Sequence, residues 1–197
     1  MLEHPTQVRD AQGIISSLEA SPCATLYALK GTDGHIGKGR SAGFRLGDSK
    51  YVSYVDDDDD VITDCLPMCL SVLESHGVDA VVTKEYVEYK GVKQLSLFPD
   101  GLLPGSIFKL FHARYIHHLI VFRRSSLNPY IDRMERWPGQ PEPALIASML
   151  LDGAKFMALD TPGYVWRPNR KNGGHKIPKT KEVRELTLKT LKAGNAK

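Results

Sequence analysis

Cysteine is scarce in this chain, with three among 197 residues. Cys23, Cys65 and Cys69 have neither the even count nor the spacing of a disulfide framework, which argues against a stapled secreted scaffold and suits a reducing compartment. Cys65 and Cys69 would lie one helical turn apart. No further Cys stands near them and His76 follows only seven residues after Cys69, so two small buried side chains are favoured over a zinc site. Long apolar runs are also missing, and none approaches the roughly 20 residues that a membrane-crossing helix needs. Met1-Leu2-Glu3-His4-Pro5 lacks the basic start and apolar body of a secretory signal, so the expected location is the cytoplasm. Internal repeats are absent, and the one low-complexity tract is a run of aspartates.

What is present fits a soluble globular protein: 42% apolar and 25% charged residues, in a length that suits one well-buried domain. The formal charge of +3 conceals an asymmetry. From Arg167 onward ten Lys or Arg stand against two Glu, leaving the tail near +8 and the body near −5. Such a tail can meet the phosphates of a nucleotide, a nucleic acid or a membrane surface, or it can be a solvated helix. The organisation expected is a domain over 1–177 and a basic helix or tail over 178–197.

Hydrophobic spacing predicts an alternation of helix and strand. Val8, Ala11, Ile14, Ile15 and Leu18 give a helix over 6–19, closed by Ser21-Pro22. Strands are predicted over 23–29, 51–55, 78–82 and 116–123, with helices over 36–46, 62–75, 142–152 and 179–193. The stretch 85–104 reads as a hairpin or irregular excursion, and 156–160 with 163–167 as two further strands. This order implies an α/β domain, Rossmann-like, with a mainly parallel central sheet and helices on both faces.

The most informative feature is Asp56 to Asp60, five aspartates directly after the predicted strand Tyr51–Val55. Adjacent carboxylates raise one another's pKa and repel, so a cationic partner is expected. In an open α/β sheet ligands bind beyond the carboxyl ends of the strands, which makes the run a place for a hard divalent cation and a phosphorylated ligand. An EF-hand loop beginning at Asp56 would need Gly and Glu where Val61 and Pro67 stand. A solvated acidic turn is the plainer alternative.

The segment from Gly37-Lys38-Gly39-Arg40-Ser41-Ala42-Gly43 through Tyr51-Val52-Ser53-Tyr54-Val55 to Asp56-Asp57-Asp58-Asp59 resembles the central block of GT-A fold glycosyltransferases, in particular those similar to glycosyltransferase family 2. In that family a Gly/Lys/Arg-rich stretch opens a short helix and a strand then delivers an Asp-x-Asp (DxD) motif, here Asp56-x-Asp58. The resemblance implies a hexosyl- or pentosyltransferase with a nucleotide-diphosphate-sugar donor, an acceptor hydroxyl, and Mn²⁺ or Mg²⁺ on the diphosphate. It further implies Asp58 as metal ligand, Asp56 as the ribose-side residue, and Lys38 and Arg40 near phosphate oxygens.

Trp137-Pro138-Gly139-Gln140-Pro141-Glu142 resembles the family's acidic motif. That motif is commonly Glu-Asp with the Asp as general base; here Pro143 follows Glu142. Glu142 is thus either the base or a carboxylate favoured by a helix N-terminus. Tyr164 to Lys176 is similar to the closing strand and loop of the family, with His175 implied as a further metal ligand and Arg167, Arg170, Lys171 and Lys176 as diphosphate cations. His112, His117 and His118 are expected to be structural or to line an acceptor pocket. The family's first strand and base-gripping turn have little counterpart before the first helix. Two other readings stay open: a non-catalytic nucleic-acid-binding module that uses the basic tail, and a nucleotidyltransferase-like enzyme, although the Gly-rich loop of the latter is not seen near the N-terminus. A polyanionic acceptor would join the tail to the transferase reading.

Overall fold

The computed structural model describes residues 2–3, 12–27, 29–30, 34–96, 119–139 and 141–167, with isolated positions between 181 and 192. In chain order the elements are β1 (Leu2–Glu3), α1 (Gln12–Glu19), β2 (Leu29–Lys30), α2 (Ile36–Phe44), β3 (Tyr51–Val52) and β4 (Asp60–Val61). A 3-10 turn (Thr63–Cys65) leads into α3 (Leu66–Ser75), followed by β5 (Ala80–Tyr89), β6 (Val92–Leu95) and β7 (Ile120–Arg123). The last three are α4 (Arg124–Met134), α5 (Pro141–Leu151) and β8 (Phe156–Trp166).

The main sheet runs β3-β7-β5-β8-β4, with β6 beside the outer half of β5. Its central strand β5 carries the run Ala80-Val81-Val82, buried throughout because both edges are paired and both faces covered. Side chains alternate between two cores, as a period of two requires. Ala80, Val82, Ile120 and Phe122 face Phe44, Leu127, Trp137 and Leu145 from α2, α4 and α5. Val81 and Val121 face the other way, onto Leu18, Cys65, Cys69 and Leu73 from the α1 and α3 side. Both cysteines are therefore small core residues, as the spacing suggested.

The α/β domain with helices on both faces is as expected, but the sheet is mixed where the sequence implied a mainly parallel one. Within it β5 and β8 pair in parallel, while β3–β7, β7–β5, β8–β4 and β5–β6 are antiparallel. A buried apolar strand reads the same in either direction, and direction is set by connections that local patterning does not encode. The segment 85–104 opens as a hairpin: β5 turns at Lys90-Gly91, both with positive φ (52° and 79°), the left-handed pair that matches the twist of a two-residue connection.

Other differences are local. Residues 23–27 are not in a strand, and β2 begins only at Leu29. The two strands expected near the end form one, β8, whose register against β5 shifts around Lys84, opposite Pro162. Proline has no N–H for the ladder, so the break falls there. Helix α4 was not foreseen. Leu127, Tyr130, Ile131 and Met134 bury one face at helical spacing, but Pro129 stands inside the helix and its other residues are polar. In the tail the described positions are helical, and Leu186 packs against the α4–α5 core. Among the described residues no helix is long and apolar enough to cross a membrane.

Candidate active site

The site is assembled on α2, and α2 is held unusually firmly. At its start Ile36 N–H donates to Pro138 O at 2.9 Å, and Gly37 lies so close to the end of α4 that a Cβ there would stand 2.1 Å from Met134 O and 2.3 Å from Trp137 O. Only glycine allows that approach. At the other end the Arg124 guanidinium donates to Phe44 O (2.6 Å), Leu46 O (3.1 Å) and Ser49 O (2.6 Å), satisfying carbonyls that a helix C-terminus leaves without partners. Arg45 adds ion pairs to Asp132 (2.6 Å) and Glu135 (2.8 Å) on α4.

From this fixed helix Arg40 points into the interior, 4% exposed. Its Nε donates to Glu142 Oε1 at 2.7 Å, its Nη2 to Asp56 Oδ1, and its plane lies over the Tyr54 ring at 4.1 Å. Nη1 is buried and has no hydrogen-bond partner among the described residues. Burial opposes the Arg40 charge, but the carboxylates of Asp56 and Glu142 outweigh it and lift the pKa above its ordinary value. A guanidinium so placed is a permanent cation.

The aspartate run is divided by the fold. Asp56 to Asp59 form a tight turn, closed by Asp59 N–H to Asp56 O at 3.3 Å, and Asp60 already belongs to β4. Asp59 is 3% exposed and serves the architecture: its Oδ2 accepts from the Tyr164 hydroxyl at 2.9 Å and its Oδ1 from Arg167 N–H at 2.7 Å. The same hydroxyl accepts Asp56 N–H at 3.1 Å, so Tyr164, fully buried on β8, stitches both ends of the turn together. Burial, then the charges of Asp56 and Asp59, push the Tyr164 pKa well above 10, which keeps its proton in place as a donor.

The predicted site residues fare differently. Asp56, Arg40 and Glu142 are brought into one ion-paired chain. Asp58 is half-buried within the turn, and Lys38 is exposed on α2. Arg167 pairs internally with Asp60, brought to it by the antiparallel β4–β8 pair, and at 3.3 Å with Glu88, brought to it by the parallel β5–β8 pair. The Asp60 partnership is the main cause lifting its pKa. His175 and Lys176, with Arg170, Lys171 and the histidines at 112, 117 and 118, lie outside the described residues. Sequence reasoning missed Tyr164 and Tyr54 as organisers of the site. A strand tyrosine gives no local signal of such a role.

Among the described residues no group of three or more His, Cys, Asp or Glu is placed to hold a metal by itself. The donors the turn does offer are carboxylate oxygens, the type that suits Mg²⁺ or Mn²⁺, ions that commonly complete their shells with phosphate oxygens and water. Asp58 thus fits a shared site better than a closed protein cage. Beside the turn is a mostly apolar cavity of about 190 Å³, lined by Arg40, Tyr54 and Val55 and by Leu26 and Tyr27 from the segment after α1.

Among solved structures, residues 1–349 of Staphylococcus aureus TarS in complex with UDP-GlcNAc superpose with a TM-score of 0.66 at 14% identity, covering 96% of this chain and 55% of that one. The same fragment with UDP gives 0.63 at 14% identity, covering 98% and 55%. This chain therefore spans about half the length of these structures, and at such identity they show the fold alone. No curated protein matches the sequence. The family model "Glycosyl transferase family 2" matches residues 10–130, more than half of the chain, from α1 across α2, the aspartate turn and β5 to β7 and into α4. The chain belongs to glycosyl transferase family 2.

Proposed function

We propose that this chain is a metal-dependent glycosyltransferase that moves a hexosyl or pentosyl group from a nucleotide-diphosphate-sugar to an acceptor hydroxyl. The observation that carries the reading is the Asp56–Asp59 turn, fixed at both ends by Tyr164 and beside an apolar cavity that suits a flat nucleobase. UDP-GlcNAc, the ligand of the similar TarS structure, is the first donor to test.

In this reading Asp58 holds Mn²⁺ or Mg²⁺, with His175 as a further ligand, and Asp56 faces the ribose. A divalent ion there supplies Lewis-acid stabilisation of the charge that builds on the departing diphosphate. Lys38, Arg167 and Lys176 supply cations toward the phosphates, and Glu142 sits as the general base toward the acceptor. Its Oε1 is fixed by Arg40, so the carboxylate is oriented before the acceptor arrives. The catalytic unit is 1–177, in the cytoplasm, and the basic tail over 178–197 is available to a polyanionic acceptor.

The test is a thermal-shift screen of nucleoside diphosphates and nucleotide-sugars with and without Mn²⁺. A cognate donor at 100 times its Kd stabilises by about 2.7 kcal/mol, roughly 5–10 °C for a chain of this size, and only with metal present. Flat melting curves with every donor would remove the proposal.

A further inference from the structure

Arg40 is a deeply buried cation, 4% exposed, and its position is not that of a group waiting for phosphate. Two arms of its fork are already engaged, one with Asp56 in the turn and one with Glu142 in the first turn of α5. The two carboxylates come from segments 86 residues apart, as their numbers show, and this guanidinium bridges them. The Tyr54 ring beneath it and the clamps on α2 leave Arg40 little freedom to swing away.

We propose that Arg40 is a positioning residue that ties the donor-side turn to Glu142 and so sets the distance between donor and acceptor chemistry. Deprived of it, Asp56 and Glu142 repel and drift apart, each toward water. The geometry favours this over direct phosphate binding for two reasons. A guanidinium neutralised by two carboxylates has little net attraction left for a dianion, and its plane is covered on one face by Tyr54. The inference rests on the transferase reading above and goes beyond it by giving Arg40 a role in the catalytic step rather than in affinity.

The experiment compares wild type with Arg40→Lys, which keeps the charge but cannot span both carboxylates. UDP binding in Mn²⁺ is read by calorimetry and transfer by steady-state kinetics, well below each protein's melting temperature. If Arg40 positions Glu142 against the donor turn, kcat falls on the order of 100-fold, while Kd for UDP stays within about threefold of wild type. A phosphate ligand would give the opposite split, with weakened Kd and kcat preserved at saturation, and that result overturns the inference. So does a variant whose only defect is a lower melting temperature. Should Arg40→Lys not fold, the paired replacement Arg40→Met with Glu142→Met removes both charges of the buried pair at similar volume. Retained UDP binding in that protein supports positioning, and lost binding refutes it. The two readings fail separately: wild type that binds no nucleotide removes the proposed function and this inference with it, whereas wild type that binds leaves Arg40 to be decided by its variants.

Discussion

Replacing Tyr164 with Phe removes one oxygen atom from the interior and should loosen the whole aspartate turn. The hydroxyl makes two bonds, donating to Asp59 Oδ2 at 2.9 Å and accepting from Asp56 N–H at 3.1 Å. Tyr164 is 0% exposed and Asp59 3%, so water cannot readily take its place. A hydrogen bond to a charged group contributes about 1.5–3 kcal/mol, and leaving a buried donor without a partner costs about 1–3 kcal/mol. Asp59 keeps the Arg167 N–H at 2.7 Å, which limits the loss, and the expected destabilisation is about 2–4 kcal/mol. Urea titration followed by circular dichroism should show the midpoint falling at unchanged slope. The same variant should bind UDP in Mn²⁺ more weakly, because Asp56 and Asp58 lose their fixed placement. A Tyr164→Phe protein with wild-type midpoint and wild-type affinity would refute the view that this hydroxyl holds the turn.

Three further outcomes are expected. Gly37→Ala places a methyl 2.1 Å from Met134 O, a backbone atom that cannot step aside, so α2 must shift or the protein unfold; a loss of at least about 3 kcal/mol is expected in the same titration. Asp58→Ala, at a half-buried turn position, should leave the melting temperature without ligand within a few degrees of wild type but abolish the Mn²⁺-dependent stabilisation by donor, as excess chelator would. Stability should fall above about pH 10. Burial holds Tyr54 and Tyr164 well above 10 and raises Tyr130 to about 12. The unfolded chain then releases protons that the folded one retains, so each such tyrosine costs about 1.4 kcal/mol per pH unit beyond its unfolded pKa. Urea midpoints at pH 9, 10 and 11 would show it, and Tyr54→Phe should flatten the decline.

Local patterning made much of this protein readable in its sequence. The spacing of apolar residues marked α2, α3 and α5 to within a few residues and the end of α1, and the run 78–82 marked the central strand, because amphipathic and buried segments write their periodicity directly into the chain. The Gly-rich segment followed by a strand and aspartates carried the family. Cys65 and Cys69 were legible as core by size and spacing alone. Helix α4 was hidden by Pro129 and its polar face, although Leu127, Tyr130, Ile131 and Met134 keep helical spacing.

Pairing across long separations was not written there. That β8 runs parallel to β5 yet antiparallel to β4 decides that Asp60 meets Arg167 and that Tyr164 reaches Asp59. Arg40 followed the same logic: the sequence could say that an arginine stands near the aspartates, but only the packing of α2 on α4 and α5 put it between Asp56 and Glu142. Side-chain type and local period settle which elements form. Which charges neutralise each other depends on where those elements meet, and in this chain that is fixed by contacts between residues up to 108 positions apart.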